Sequence, residues 1–271
     1  MKKHLPGIGI LLLFMVGAAL MLYPMVSDLV NRHSTSRVIT GYHNAVAQLN
    51  LESLQKDVME AERYNLALAQ TPEAFYKPAL LEGYDDILNI TSGGIMGYIE
   101  IEKIGVELPI YHGVSKEVLQ TGIGHLPGTS FPVGGASTHA VLSGHRGLPS
   151  AKLFSDLDKL EEGDIFYVTV HDRVLKYVVD QVKIVLPTEV QDLMIEKGKD
   201  YCTLLTCTPY GINTHRLLVR GVRDFGKAGE VNKTYVANEA FRIDPLLIAA
   251  ILAVPLLLLA FVAVFFIDRR K

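Results

Sequence analysis

Cysteine is scarce in this chain, with only Cys202 and Cys207 among 271 residues. A disulfide framework is excluded, and at most one bridge is left open. Strand geometry argues against that bridge as well. If 201–207 is a strand, a separation of five residues puts the two sulfurs on opposite faces and spaces the Cα atoms by roughly 16 Å, far beyond disulfide reach. Both cysteines are expected to be free thiols. Neither Cys-x2-Cys nor His-x3-His spacing occurs, so no metal and no cofactor are expected. Charge of either sign is not in excess: 26 Lys and Arg against 29 Asp and Glu leave a net charge of −3. That balance argues against nucleic acid and against any partner drawn by a broad basic field. No internal repeat and no low-complexity tract is found.

What the chain does have is apolar length at both ends. Leu5 to Val26 is an uncharged run of 22 residues, preceded by Met1-Lys2-Lys3-His4. Pro245 to Ile267 is a second uncharged run, of 23, closed by Asp268-Arg269-Arg270-Lys271. About 20 apolar residues cross a hydrocarbon core of roughly 30 Å, so both runs qualify as spanning helices. Basic residues at the two chain ends place both termini in the cytoplasm and the whole middle outside. Gly17-Ala18-Ala19 also offers the small residues of a cleaved secretory signal, although the length of the run favours an uncleaved anchor.

Between the runs the pattern changes twice. From Gly41 to Gln70, Val46, Leu49, Leu54, Val58, Ala61 and Leu68 recur at three- and four-residue spacing, which predicts an amphipathic helix, or two with a break near Asn50. Thr71 to Gly94, broken by Pro72, Pro78, Gly83, Gly93 and Gly94, is expected to be a long loop with short turns. From Ile95 onward short apolar or alternating segments predict strands at 98–101, 108–111, 139–143, 165–170, 174–180, 182–186, 201–207 and 214–222. Ser115–Thr121 and Leu153–Leu160 read as short helical turns. Many short strands with few long helices suggest a closed barrel or a sandwich.

Chemistry concentrates in two motifs. Thr203-Leu204-Leu205-Thr206-Cys207 ends an apolar run just before a Pro-Tyr-Gly turn, and Arg216 starts the next run. Adjacent strands would set a thiol beside a permanent cation, which favours the attacking thiolate. A strand cysteine is ordinarily a buried, inert residue, and that reading is given to Cys202. Of the histidines, His112, His125, His139 and His215 read as structural. His145, in Ser143-Gly144-His145-Arg146-Gly147-Leu148, leaves a strand at a glycine-flanked loop, and its imidazole suits general acid–base work near neutral pH. Arg146 is read as structural.

Taken together these residues resemble the sortase family of cysteine transpeptidases. The likeness runs from about Met96 to Val222. It includes Gly97-Tyr98-Ile99-Glu100-Ile101, Leu108-Pro109-Ile110-Tyr111-His112-Gly113, Gly124-His125-Leu126-Pro127-Gly128-Thr129-Ser130 and Cys207-Thr208-Pro209-Tyr210-Gly211. The resemblance implies a mainly β fold, an eight-stranded sortase-type barrel with short helices. It implies Cys207 as nucleophile, His145 as acid and base, and Arg216 as the substrate-positioning and oxyanion-stabilising cation. The implied reaction cleaves a Leu-Pro-x-Thr-Gly-like signal between Thr and Gly through a thioester, then passes the acyl group to an amine. The second apolar run and the helix-plus-loop extension are similar to the class C, pilin-polymerising branch, whose acceptor is a pilin lysine. A housekeeping branch that anchors surface proteins to the peptidoglycan precursor is the alternative. Alternatives outside that reaction are a plain cysteine hydrolase and an inactive membrane-bound assembly scaffold.

One feature of class C is missing. Its lid carries an Asp-Pro-aromatic motif, whereas the only Asp-Pro here is Asp244-Pro245; Phe75, Tyr76 and Pro78 are the lid candidates in the expected place. The resemblance further implies a Gram-positive cell surface, with secreted surface proteins or pilins and membrane lipid as partners. The expected layout is an anchor over 1–30, an extracytoplasmic helical region with a lid-like loop over 31–94, the catalytic barrel over 95–225, a linker over 226–244 and a C-terminal transmembrane helix with basic tail over 245–271.

Overall fold

The β-branched and aromatic density after Ile95 resolves into eight strands that close on themselves. The computed structural model describes residues 5–226 with the exception of Ser92; the expected linker and second apolar run lie outside the described residues. The strands are β1 (Ile95–Ile101), β2 (Val106–His112), β3 (Ile123–His125), β4 (Thr138–Ser143), β5 (Ile165–Val170), β6 (Arg173–Val185), β7 (Asp200–Thr208) and β8 (His215–Arg223). Their order around the barrel is β1-β2-β3-β4-β7-β8-β6-β5. Two neighbouring pairs, β2 with β3 and β4 with β7, run parallel, and the others are antiparallel.

The expected number of strands is met by a different set. Segments 174–180 and 182–186 are one strand, because the register against β8 shifts between Val179 and Gln181 and β6 carries on past the bulge at Asp180. A bulge interrupts the alternation without ending the strand, so the sequence looks like two pieces. The eighth strand is β3, whose three residues Ile-Gly-His are too short to give a period-two signal.

The helical extension is more continuous than its sequence suggests. Helix α1 spans Leu5–Gln48, through residue 30 where the anchor is expected to end, and is long and apolar enough to cross a membrane. Asn50 then caps α2 (Leu51–Gln70), its side chain accepting the Ser53 N–H at 2.7 Å. An asparagine at the N-cap satisfies a helix-terminal donor, which explains the break at that position. Val58, Ala61, Tyr64 and Leu68 of α2 join the main core with Phe131, Phe154, Phe166 and Leu204. Asn65 adds a two-way bond to Phe131, its amide donating to the carbonyl at 3.0 Å and its oxygen accepting the N–H at 2.7 Å. Tyr42 of α1 accepts the His171 N–H at 2.7 Å and donates to the Met96 carbonyl at 3.1 Å, while His171 Nε2 lies 2.7 Å from Asp57 of α2. This buried network pins both helices to the turn between β5 and β6.

The segment from Thr71 to Gly94 is held at many points. It contains 3-10 turns at Pro72–Phe75 and Pro78–Leu80. Tyr84 stacks on His125 and Phe131, accepts the Gly113 N–H at 3.0 Å and lies 2.9 Å from His125 Nδ1. Burial holds the imidazoles of His125 and His139 down at about 4. Both histidines are therefore neutral in the folded protein at pH 7. The unfolded chain binds their protons near pH 6.5, so the stability they permit is complete above that value and is lost as pH falls toward 4, on the order of 3 kcal/mol per ring. Imidazole NMR titration is expected to show both rings unprotonated down to about pH 4, with urea midpoints falling over the same range; a ring titrating near 6.5 contradicts the burial argument.

Candidate functional site

Strand topology brings the three expected residues to one end of the barrel. Cys207 is paired directly with Arg216 across β7 and β8. On the other side of β7, the parallel register against β4 runs to Ser143 opposite Leu205. His145 follows two steps after Ser143, as Cys207 follows two after Leu205. The strand ends stay tied over those steps: the Gly144 N–H donates to the Leu205 carbonyl at 3.0 Å, and the buried Thr206 hydroxyl donates to the Gly144 carbonyl at 2.7 Å. Cysteine and arginine thus sit on adjacent strands about 4.8 Å apart, and the histidine leaves the strand on the other flank of β7 at the same end.

Alternation along β7 decides which side each residue faces. Cys202 and Leu204 point into the core, and Cys202 has 0% exposure. Burial pushes the Cys202 thiol far up, so it is an inert core group. Cys207, at an odd separation, falls on the opposite face with Leu205 and is partly exposed; both cysteines are free. On that outer face Leu205, Leu218, Val141, Val185, Leu193 and Leu126 form an apolar floor beside the cysteine. The β6–β7 connection walls it, with the Met194 carbonyl 2.9 Å from His139 Nδ1 and Glu196 paired with Arg220.

The loop that carries His145 is built around its glycines. A Cβ on Gly144 would meet the Phe154 ring at 2.6 Å, and the Phe154 N–H donates to the His145 carbonyl at 3.1 Å. Gly147 has a φ of +78, and a Cβ there would sit 2.9 Å from the Tyr210 ring. Each glycine permits a contact that a larger residue would block. Partial burial lowers the His145 pKa below 6.5, so the neutral imidazole predominates at pH 7. The Arg216 guanidinium donates through Nη1 to the Asn213 and His215 carbonyls at 3.2 and 3.0 Å; its other nitrogens make no hydrogen bond among the described residues. Arg146, read as structural, reaches Thr208 at 3.3 Å and pairs with Asp158.

The lid candidates divide. Phe75 packs on the apolar floor that includes Leu205 and Leu218, two positions from Cys207 and Arg216 respectively. A Cβ on Gly128 would lie 2.7 Å from the Phe75 carbonyl, so only glycine admits this close backbone approach. Tyr76 is 64% exposed and meets Phe75 edge-on at 5.2 Å, and Pro78 opens the second 3-10 turn. The apolar floor and the Thr206–Gly144 tie were not singled out in the sequence; the parallel β4–β7 pairing that creates them joins segments some 60 residues apart. Among the described residues no group of three or more His, Cys, Asp or Glu converges on a metal position.

Two outcomes follow from this geometry. A thiol-specific maleimide on the native protein is expected to label Cys207 and spare Cys202; labelling at equal rates contradicts the alternation. Thr206→Val is expected to cost about 1 kcal/mol from the lost hydrogen bond. It should also lower peptide turnover more than that stability loss explains, because the two strand ends are no longer tied.

Comparison with known proteins agrees with the geometry. The family model described as the sortase domain matches residues 99–224. Sortase C1 from Streptococcus agalactiae is 48% identical, with a TM-score of 0.64 over 69% of this chain and 98% of that one. Sortase C from Clostridium perfringens, solved with the C-terminal cell wall sorting motif, is 44% identical, with a TM-score of 0.61 over 69% of this chain and 98% of that one. Sortase A of Bacillus anthracis is 26% identical over 220 residues, 81% of this chain and 95% of that protein. With a closed eight-stranded barrel and this identity over nearly the whole length of solved relatives, the chain belongs to the sortase family of cysteine transpeptidases, most like its class C members.

Proposed function

We propose that the chain is a membrane-anchored transpeptidase that cleaves a Leu-Pro-x-Thr-Gly-like sorting signal between Thr and Gly and joins the acyl part to a lysine of a pilin subunit. The observation that carries this reading is the direct pairing of Cys207 with Arg216 across β7 and β8, with His145 two residues past the end of β4 at the same end of the barrel. The Cys207 thiolate attacks the threonine carbonyl, and the carbonyl electrons move to oxygen. Arg216, with donors left over from its backbone contacts, positions the peptide and stabilises that oxyanion. Collapse breaks the bond to glycine, the imidazolium of His145 protonates the departing amine, and a thioester remains. An incoming lysine amine then attacks the thioester, His145 takes the proton, and an isopeptide forms as the thiolate leaves.

The apolar floor beside Cys207 suits the leucine and proline of such a signal, and Phe75 occupies part of it. Substrate entry therefore displaces Phe75, so the segment at Phe75, Tyr76 and Pro78 acts as a lid by packing, without the Asp-Pro-aromatic contact. The proposed layout keeps the anchor at 1–30, the helical and lid region at 31–94, the catalytic barrel at 95–225, the linker at 226–244 and the second span at 245–271, with both termini cytoplasmic. The pilin reading over the housekeeping one is favoured by 48% identity to a sortase C1 against 26% to a sortase A.

Intact-mass analysis of the full chain in detergent with a Leu-Pro-x-Thr-Gly peptide tests the mechanism. An adduct equal to the acyl fragment is expected, absent in Cys207→Ala. Arg216→Ala is expected to slow acylation by about 10²–10³-fold, the usual loss of a preorganised oxyanion donor. Phe75→Ala is expected to speed it. Peptide cleavage unaffected by an added lysine amine would identify a hydrolase, and no adduct in either the parent or Phe75→Ala would leave only a scaffold role.

A further inference from the structure

The end of the barrel that carries Cys207 is also the end nearest the predicted membrane span. Helix α1 continues from the apolar run, through Pro24 near its end, into the folded domain. The first two residues beyond that run are Ser27 and Asp28, and both bond to the loop that follows His145. The Ser27 hydroxyl donates to the Ser150 carbonyl at 3.2 Å, and the Lys152 N–H donates to Asp28 Oδ1 at 2.8 Å. Arg32 holds the same carboxylate from the next turn at 2.8 Å. Further along, Ile39 and Tyr42 of α1 are packed against Ile95 and Tyr98. The helix is thus attached at two places about three turns apart, and beyond Pro24 it acts as a strut with a fixed direction.

The rise of a helix sets the height of the site. At about 1.5 Å per residue, Asp28 lies roughly 3 Å beyond Val26 along the axis. Each interfacial layer is about 5–7 Å deep. The loop at Ser150 and Lys152 therefore sits at headgroup depth when the span is in the bilayer. Tyr210 leans on Gly147, three residues before Ser150, and belongs to the β7–β8 loop that connects Cys207 to Arg216. Two large apolar side chains of that loop are exposed, Tyr210 at 62% and Ile212 at 67%. An exposed tyrosine beside an exposed isoleucine is costly in water and well placed in an interface, where tyrosine rings concentrate. The rest of the loop, Pro209 to Thr214, carries no charge that would oppose such contact.

We propose that the site-bearing mouth of the barrel rests on the outer surface of the bilayer that holds α1, with Tyr210 and Ile212 inserted among the lipid headgroups. This rests on the membrane anchoring proposed above. Docking by the β7–β8 loop fixes the distance from Cys207 to the lipid. It favours acyl donors that are themselves held in the same bilayer, with the cleaved bond a short way outside it.

The chain contains no tryptophan, so single reporters can be introduced without background. Full-length Tyr210→Trp, Ile212→Trp, Tyr23→Trp and Asp172→Trp proteins are reconstituted into phosphatidylglycerol–phosphatidylcholine vesicles. Some vesicles carry phosphatidylcholine brominated near the carbonyl end of its chains, others near the methyl end. Tyr23 reports the span, and the exposed Asp172, in the turn between β5 and β6, reports the opposite end of the barrel. Shallow bromine is expected to quench Tyr210→Trp and Ile212→Trp about twofold and to leave Asp172→Trp unchanged, the pattern of an interfacial loop. Quenching of Tyr23→Trp alone would overturn the docking and keep the anchor. Loss of quenching at Tyr23→Trp as well would overturn both, and equal quenching at Asp172→Trp would replace a defined orientation with general surface adsorption.

Discussion

Everything in this molecule depends on one strand facing two environments. Along β7, Cys202 and Leu204 are sealed in the barrel core, and Leu205 and Cys207 stand on the outer face. The period of two that makes a strand amphipathic also separates an inert thiol from an accessible one. A one-residue slip in register would bury Cys207 and expose Cys202. The register is held on both flanks, by eight residue pairs with β8 and six with β4, and by the Thr206 hydroxyl at the point where β4 ends.

From that constraint the site follows by adjacency. Arg216 is the direct cross-strand partner of Cys207, and His145 arrives where the parallel β4 chain runs out beside it. Parallel pairing matters here. It places the end of β4 at the end of β7, so two residues that leave their strands in the same direction share one mouth. The glycines around His145 then let Phe154 close in beneath the loop and Tyr210 above it. Partial burial of the imidazole lowers its pKa, which makes the protonated form a minority state at neutral pH. A general acid in that condition acts through the small imidazolium fraction, or when substrate changes its surroundings.

The helical extension runs between the two ends of the barrel. Through Ser27 and Asp28 it grips the loop after His145, and at the other end it is welded through Asp57, His171 and Tyr42 to the turn between β5 and β6. Its trailing segment lays Phe75 on the apolar floor next to the cysteine. The proposed membrane span, loop placement and groove coverage are therefore mechanically continuous, and a shift of α1 has a direct route to the position of His145.

Period-two alternation, the Pro-Tyr-Gly turn and the placement of Cys207 and Arg216 at the ends of successive runs were legible in the amino acids, because each is a local property. So were the capping break at Asn50 and the opposite faces of the two cysteines. The short β3, the single β6 running through its bulge and the anchoring of residues 71–94 were not, because their causes lie in partners far along the chain. His145 could be singled out by its glycine neighbours, but no spacing rule brings it to Cys207. The sequence by itself determined which residues have the chemistry and which face each one takes along its own strand, since strand geometry and side-chain type suffice for that. Only the tertiary structure decided which strands are neighbours, and with that the end of the barrel the three residues share, the apolar floor and the end from which α1 departs, because those depend on closure of a barrel across long sequence separations.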